Sequence, residues 1–325
     1  MHSSGPMDGR AETWAIILAG GEGTRLAPLT RALYGTDLPK QFAILDGECS
    51  LLQQTMERAA AIASPERTVV VVSAARAPLA AEQLGPYRGA HLLEQPISRD
   101  TAPGLMFPLA YVRVRNPQAR VVVLPADHHV PNPRPLYHAL ERVAAIRTSR
   151  QRVTLIGVEA NRPETEYGWI LPGARLAGRG GDAVWAVRRF VEKPAEDAAR
   201  RLRHRGAVWN TFISAGPVAA FWDLARWHLP LQAAAFERWA VRSVQARGDD
   251  GLVELYDWLT PASWSHDVVA HTPGTRLALI AMSGTGWSDW GSPRRVFESL
   301  AGTAAFDRLV GRITEDVAAE LSRRA

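Results

Sequence analysis

Two lysines stand out among the 38 lysines and arginines of this 325-residue chain: Lys40 in "LPKQF" and Lys193 in "FVEKP". The other 36 basic residues are arginine. A compact, swinging ammonium is therefore kept at two positions, each beside a proline, in a chain that otherwise uses the planar guanidinium fork. Upstream of Lys40, "LAGGEGTRLAPLT" spans residues 18–30. Gly20, Gly21 and Gly23 let the backbone turn tightly and approach a ligand with no Cβ in the way. Thr24 and Arg25 follow as a hydroxyl donor and a forked cation. This composition suits a loop that cradles a triphosphate, and it suits a plain tight turn equally well. It is not GxxxxGK[ST], and Leu26 stands where a dinucleotide fingerprint needs its third glycine. Asp127 closes the apolar run "VVVLPAD", at the carboxyl end of a strand where open α/β sheets bind ligands; its plain alternative is a turn or helix cap. The adjacent His128 and His129 lack the Cys/His spacing of a zinc site. No Ser/His/Asp or Cys/His constellation is evident.

These residues need a frame. The runs 14–20, 68–73, 91–95, 120–127 and 153–158 read as buried strands, most of them continuously apolar rather than alternating, as strands covered on both faces are. Helical patterns fall between them at 50–63, capped by Ser50, and at 77–84, 102–115 and 135–146. The alternation predicts an α/β fold with a doubly wound, mostly parallel sheet. Further on, 167–173 and 183–194 read as strands of a hairpin-like insertion, 217–229, 231–246 and 251–259 as helices, and 276–282 as a strand. A helix is predicted after Pro194, and its "ARRLRHRG" run (199–206) reads as a solvated face. Residues 292–323 read as helical, with Leu300, Leu309, Ile313, Val317 and Leu321 on an apolar face. No hexapeptide repeat of a left-handed β-helix is present. The predicted organisation is a polar, disordered leader (1–13), one catalytic domain (14–292) and a helical extension packed on it (293–325).

Bulk properties narrow the class. A hydrophobic content of 46% and a charged content of 22% are those of a globular protein, and no apolar run approaches the ~18–20 residues that span a bilayer. A single cysteine, Cys49, leaves no intrachain disulfide and fits a reducing compartment, so the expected location is the cytoplasm. The net charge of +5 comes from scattered arginines interleaved with 33 acidic residues. That pattern disfavours nucleic acid and suits small polyanions. A homodimer stays open.

The order of the motifs is more specific than any one of them. "LAGGEGTRLAPLT", "LPKQFAIL" and "LDGECSLLQQT" are followed by "EQPISRDTAP" (94–103), "LPADHHV" (124–130), "PETEYGWI" (163–170), "FVEKP" (190–194), "WNTF" (209–212) and "GWSDWGS" (286–292). In this order they resemble the sugar-1-phosphate nucleotidyltransferase family, most nearly its mannose-1-phosphate guanylyltransferase branch, over roughly residues 14–292. The resemblance implies attack by a sugar-1-phosphate on the α-phosphorus of a nucleoside triphosphate, GTP and mannose-1-phosphate being the best match. The nucleophile is already an anion, so alignment and charge neutralisation carry catalysis. Arg25, Lys40 and Lys193 take the catalytic cation positions, Lys40 on the nucleotide phosphates and Lys193 on the sugar phosphate. Asp127 and Asp289 match the aspartates that hold Mg²⁺. Leu18, Ala19, Gly20, Gly21, Gly23 and Thr24, with Glu94, Arg99, Thr101 and Ala102, match the nucleotide-binding positions. Gly168, Glu192 and Asn210 match the sugar end. Departures from the family pattern are Ala27 for tryptophan, about four extra residues around "YGTD", Asp100 for asparagine, Thr211–Phe212 for Ser-Gly, and a loose match at "SHDVV" (265–269). They bear on substrate identity: the same reaction with another nucleotide or sugar, or a non-catalytic nucleotide-sugar-binding paralogue, are the alternatives.

Overall fold

A computed structural model of the chain describes residues 13–145, 151–180, 183–245, 251–313 and 317. The strands are β1 (Thr13–Leu18), β2 (Thr68–Ser73), β3 (His91–Gln95), β4 (Arg120–Pro125), β5 (Val153–Val158), β6 (Trp169–Ala177), β7 (Val184–Val191), β8 (Val208–Pro217) and β9 (Leu277–Met282). The helices are α1 (Ala27–Tyr34), α2 (Leu51–Ala60), α3 (Ala77–Gln83), α4 (Thr101–Arg115), α5 (Arg134–Ala145), α6 (Glu196–His204), α7 (Val218–His228), α8 (Pro230–Gln245), α9 (Leu252–Trp258), α10 (Pro293–Leu300) and α11 (Ala304–Val310). One sheet runs β3-β2-β1-β4-β8-β5-β9-β7-β6. Alternate β1 residues enter opposite cores. Trp14 and Ile16 meet α4, α7 and α8, whereas Ala15 and Ile17 meet α2, α3 and α5. Coverage of both faces explains why these strands are apolar without alternation.

Parallel pairing is confined to β3-β2-β1-β4 and to β5–β9. β8 runs antiparallel to both β4 and β5, and β7 antiparallel to both β6 and β9, so the second half of the sheet is mixed. β6 and β7 form the expected hairpin. β8, in contrast, carries no clear period in its sequence, and a bulge is the reason. Leu155 pairs with Ser214 and Gly157 with Asn210, so Thr211, Phe212 and Ile213 stand opposite the single residue Ile156. Such an insertion bends the strand and re-aims its side chains. Thr211 is anchored there, its hydroxyl donating to Ile156 O at 2.6 Å.

Local chemistry sets the remaining boundaries. Ser50 caps α2 in a capping box with Gln53. Helix α1 has Pro28 in its first turn, where a proline costs no hydrogen bond, and ends on left-handed Gly35. The extra residues around "YGTD" are thus the end of α1 and its cap, and Asp37 pairs with Arg31 at 2.7 Å. Among the described residues, the C-terminal segment is broken at left-handed Gly302 between α10 and α11 and restarted by Thr303, whose side chain accepts from Phe306 N. Leu300 and Leu309 are buried with Leu26, Leu29 and Trp290, and Ile313 and Val317 pack against them; Leu321 lies outside the described residues. The polar leader likewise lies outside them, except for Thr13, which opens β1. No helix among the described residues is long and apolar enough to cross a membrane.

Gly157 lies opposite the bulge, and a Cβ there would come 2.4 Å from Val208 Cγ2 and 3.2 Å from Trp209 O. Gly157→Ala should therefore overpack two central strands at a cost of about 1–3 kcal/mol. A thermal melt would register this as a fall of several degrees, whereas an unchanged melting temperature would show that β8 yields freely.

Candidate functional site

The loop after β1 is held open by its neighbours. Gln41, the residue after Lys40, is buried and donates through Nε2 to Ala19 O (2.8 Å) and Gly21 O (2.7 Å). Two loop carbonyls are thereby turned away from the cleft. At Gly20 an added Cβ would meet Gln95 Oε1 at 2.6 Å, and at left-handed Gly23 it would come 3.1 Å from Lys40 N. Gly23 is favoured by its backbone conformation, and a side chain at Gly20 would have to displace Gln95. Gly21 faces open space. Thr24 starts a short turn beside it. Arg25 reaches out over the cleft to Glu166 Oε2 at 2.8 Å.

Below this loop Lys40, Asp127 and Asp289 meet. Lys40 Nζ lies 3.1 Å from Asp127 Oδ2 and donates to the backbone carbonyl of Asp289. Asp289 Oδ1 accepts from Tyr167 Oη (2.9 Å), Gly291 N (3.0 Å) and Arg295 Nη1 (3.0 Å). Arg295 also bonds Glu164 Oε1 at 2.9 Å and lies over the Tyr167 ring. Burial works against ionising both aspartates. The Lys40 ammonium outweighs it, with His128 and Arg295 assisting at Asp127 and Asp289 respectively, and holds both below the usual carboxylate range. Burial likewise pushes the Tyr167 hydroxyl up, so it stays a donor. Lys40 thus meets the Asp127 carboxylate directly and Asp289 through its backbone carbonyl.

That donor set fits a hard dication such as Mg²⁺, which takes one or two carboxylates and fills its other positions with water and phosphate oxygens. The two aspartates supply two carboxylates, and no group of three or more His, Cys, Asp or Glu among the described residues is placed to hold a metal ion. His128 Nδ1 accepts from Trp287 Nε1 at 3.2 Å, which puts its proton on Nε2, and burial pushes its pKa down to about 4. His129 lies 2.9 Å from Asp46 Oδ2 and stacks on Trp290.

Beside the glycine loop lies a cavity of about 350 Å³. Leu18, Gly20, Gly21, Thr101 and Asp127 line it, and so do Gln95, Asp100 and Phe212. Glu94 does not. Successive strand side chains face opposite sides, so Gln95 points inward and donates to Tyr256 Oη at 3.1 Å, while Glu94 is exposed. Ala102 is fully buried in the core under α4. Arg99 is turned to α9, donating to Tyr256 O at 2.8 Å and Asp257 O at 3.3 Å. The "SHDVV" turn packs against α4 through Trp264 N, which donates to Thr101 Oγ1, and its Asp267 is spent on His266 and Ser263 N.

The sugar-end residues also converge. A Cβ on Gly168 would come 2.7 Å from Glu192 Oε2 and 3.3 Å from Asn210 Cβ, and Asn210 N donates to Gly168 O at 2.7 Å. Glu192 Oε2 is buried with no hydrogen-bond partner among the described residues. Burial raises the Glu192 pKa against the lowering pull of Lys193. The described residues include four non-glycines with left-handed backbone: Asp100, Lys193, Phe212 and Trp290. Each either lines the cleft or adjoins one of its candidate residues. Such conformations cost about 1–3 kcal/mol each and gather at functional sites. Gln41, Gln95, Tyr167 and Arg295 were not singled out from sequence, although Gln41, Gln95 and Tyr167 lie inside the motifs "LPKQF", "EQPISRDTAP" and "PETEYGWI"; Arg295 lies outside them all.

The nucleotidyl transferase family model matches residues 14–304. The chain belongs to that family. Alginate biosynthesis protein AlgA of Pseudomonas syringae pv. tomato is 31% identical over 279 residues, covering 85% of this chain and 56% of AlgA. Mannose-1-phosphate guanylyltransferase of Klebsiella pneumoniae is 34% identical over 199 residues, 60% of this chain and 41% of that protein. The chain therefore spans only about half the length of these relatives. A crystal structure described as mannose-1-phosphate geranyltransferase, from Thermus thermophilus, superposes with a TM-score of 0.73 at 31% identity, covering 89% of this chain and 79% of that one. This nucleotidyl transferase shares with it the α/β sheet that carries the cleft.

Two measurements would probe the site. The raised pKa means that native Glu192 holds its proton more tightly than the unfolded chain does. Its stabilising contribution is present below the ordinary carboxylate value and lost as pH rises through the raised one. Glu192→Gln should therefore melt above wild type at pH 7, with the gain vanishing near pH 4. An equal gain at both pH values would refute the buried charge. Arg295→Met should leave Glu164 and Asp289 without their shared cation and lower unfolding free energy by about 3 kcal/mol in a denaturant titration. A loss below 0.5 kcal/mol would mean solvent replaces the fork.

Proposed function

We propose that the chain transfers a nucleotidyl group from a nucleoside triphosphate, best matched by GTP, to a hexose-1-phosphate, best matched by mannose-1-phosphate. The observation that carries this reading is the meeting of the glycine loop, Lys40, Asp127 and Asp289 beside a cavity that the loop itself lines. Relatives named mannose-1-phosphate guanylyltransferase support the choice of substrates.

In this mechanism the loop amides around Gly20–Gly23 and the Arg25 fork receive the triphosphate. Asp127 and Asp289 would hold Mg²⁺, which when bound neutralises phosphate charge. The Lys40 ammonium, on its flexible stem, lies between these carboxylates and the loop, within reach of the phosphates. Glu192 and the Asn210 amide accept from and donate to sugar hydroxyls, while exposed Lys193 draws in the sugar phosphate. An oxygen of that phosphate attacks the α-phosphorus in line. A new P–O bond forms, the α–β bridge bond breaks, and its electron pair leaves on pyrophosphate. No side chain need remove a proton. The chemistry is alignment of two polyanions and cancellation of their repulsion.

Pyrophosphate release across a grid of nucleoside triphosphates and sugar-1-phosphates with Mg²⁺ tests this directly. One pair should dominate, and Asp127→Asn should lower its rate by about 10²–10³-fold. Lys193→Arg keeps charge but changes geometry, and a loss of ~10-fold or more is expected. Silence across the grid while nucleotide sugars still bind would replace the transferase with a binding protein.

A further inference from the structure

Phe212 is the most conspicuous of the four left-handed non-glycines. A phenyl-bearing residue at φ +61° is held where glycine is normally found. Local structure fixes it there. Thr211 is pinned to Ile156 O and Ile213 N donates to Thr211 Oγ1, so the β8 bulge leaves Phe212 no extended alternative. Its backbone N–H turns back to Asn210 Oδ1 at 3.2 Å, which directs the Asn210 NH₂ away from β8. Its half-buried ring packs on the core under α4 and lines the same cavity as Gly20, Gly21, Gln95 and Thr101.

From this geometry we infer that Phe212 is a specificity-determining residue, which divides the cleft in two. The ring is the wall of the nucleoside pocket opposite the glycine loop, and the main chain of the same residue orients Asn210 for the sugar. This rests on the proposed placement of nucleotide and sugar, and it adds a cause for the strain. A flat aromatic wall limits which base and ribose fit between it and the Gly20–Gly21 backbone, and such shape selection is worth roughly 10–200-fold between competing substrates. The backbone of a glycine at this position would make the same turn without strain but would leave the pocket open.

Phe212→Gly and Phe212→Ala test this together. Dissociation constants for the four nucleoside triphosphates are measured by calorimetry alongside pyrophosphate release. The ratio between the preferred and the next nucleotide should fall about ten-fold or more in both variants. The Gly variant, free of strain, should melt roughly 2 °C or more above the Ala variant, the reverse of their order at an ordinary position. In the sugar series, discrimination should change less than in the nucleotide series, because both variants keep the main-chain N–H on Asn210. Nucleotide ratios within two-fold of wild type in both variants would overturn the inference. A wild-type chain that binds nucleotides but releases no pyrophosphate would sink the transferase reading alone, since the ratios of dissociation constants still decide Phe212. Failure to bind any nucleotide would overturn both.

Discussion

Two ionised aspartates share one recess. Asp127 from the end of β4 and Asp289 from the loop after β9 both lose hydration there, and each raises the cost of the other's charge. That arrangement persists only because positive groups meet them: Lys40 between the pair, Arg295 on Asp289, and the Tyr167 hydroxyl and Gly291 N–H completing its shell. Much of the surrounding architecture serves these contacts. The turn carrying Lys40 is tied to the glycine loop through Gln41, so the phosphate cradle and the central cation move as one piece. The C-terminal helices bury Leu300 and Leu309 against α1 and Trp290, which presses the Asp289 loop onto that piece.

The same network reaches the far end of the cleft. Arg295 joins Asp289 to Glu164, and Tyr167 joins it to Gly168 and hence to Asn210 and Glu192. The residues that would receive the sugar are therefore braced by those that would carry the metal. Stability is given up at the points of use. Among the described residues, one oxygen of the half-buried Glu192 lacks a hydrogen-bond partner, and four side-chain-bearing residues hold left-handed backbone. Placing strain and unsatisfied charge on the walls of a cleft, over a close-packed two-faced sheet, is the pattern expected of a preorganised site.

Much of this was legible in the residues. Apolar runs set β2 and β5 at their observed bounds, since a strand buried on both faces leaves a periodicity-free but unmistakable signature. Ser50 announced α2. The two lysines, the glycine loop and both aspartates were identified by motif order; Lys40, Asp127 and Asp289 meet beside the loop, and Lys193 stands apart from them next to Glu192. Glu94, Arg99 and Ala102 were assigned to the pocket by resemblance; Gln95 faces the cavity in place of Glu94 because it is the next residue along a strand, and Arg99 is turned to α9.

Sequence by itself determined the fold class, the chemical character of the site and the residues able to handle phosphate, because composition and short-range spacing encode buried strands, tight loops and charge. Tertiary structure alone decided the antiparallel insertion of β8, its bulge, the left-handed Phe212 and the Arg295–Asp289–Tyr167 brace. Each of those depends on contacts between segments far apart in the chain, such as Tyr167 with Asp289 at a separation of 122 residues. No local pattern encodes a pairing whose energy is realised only once both segments are in place.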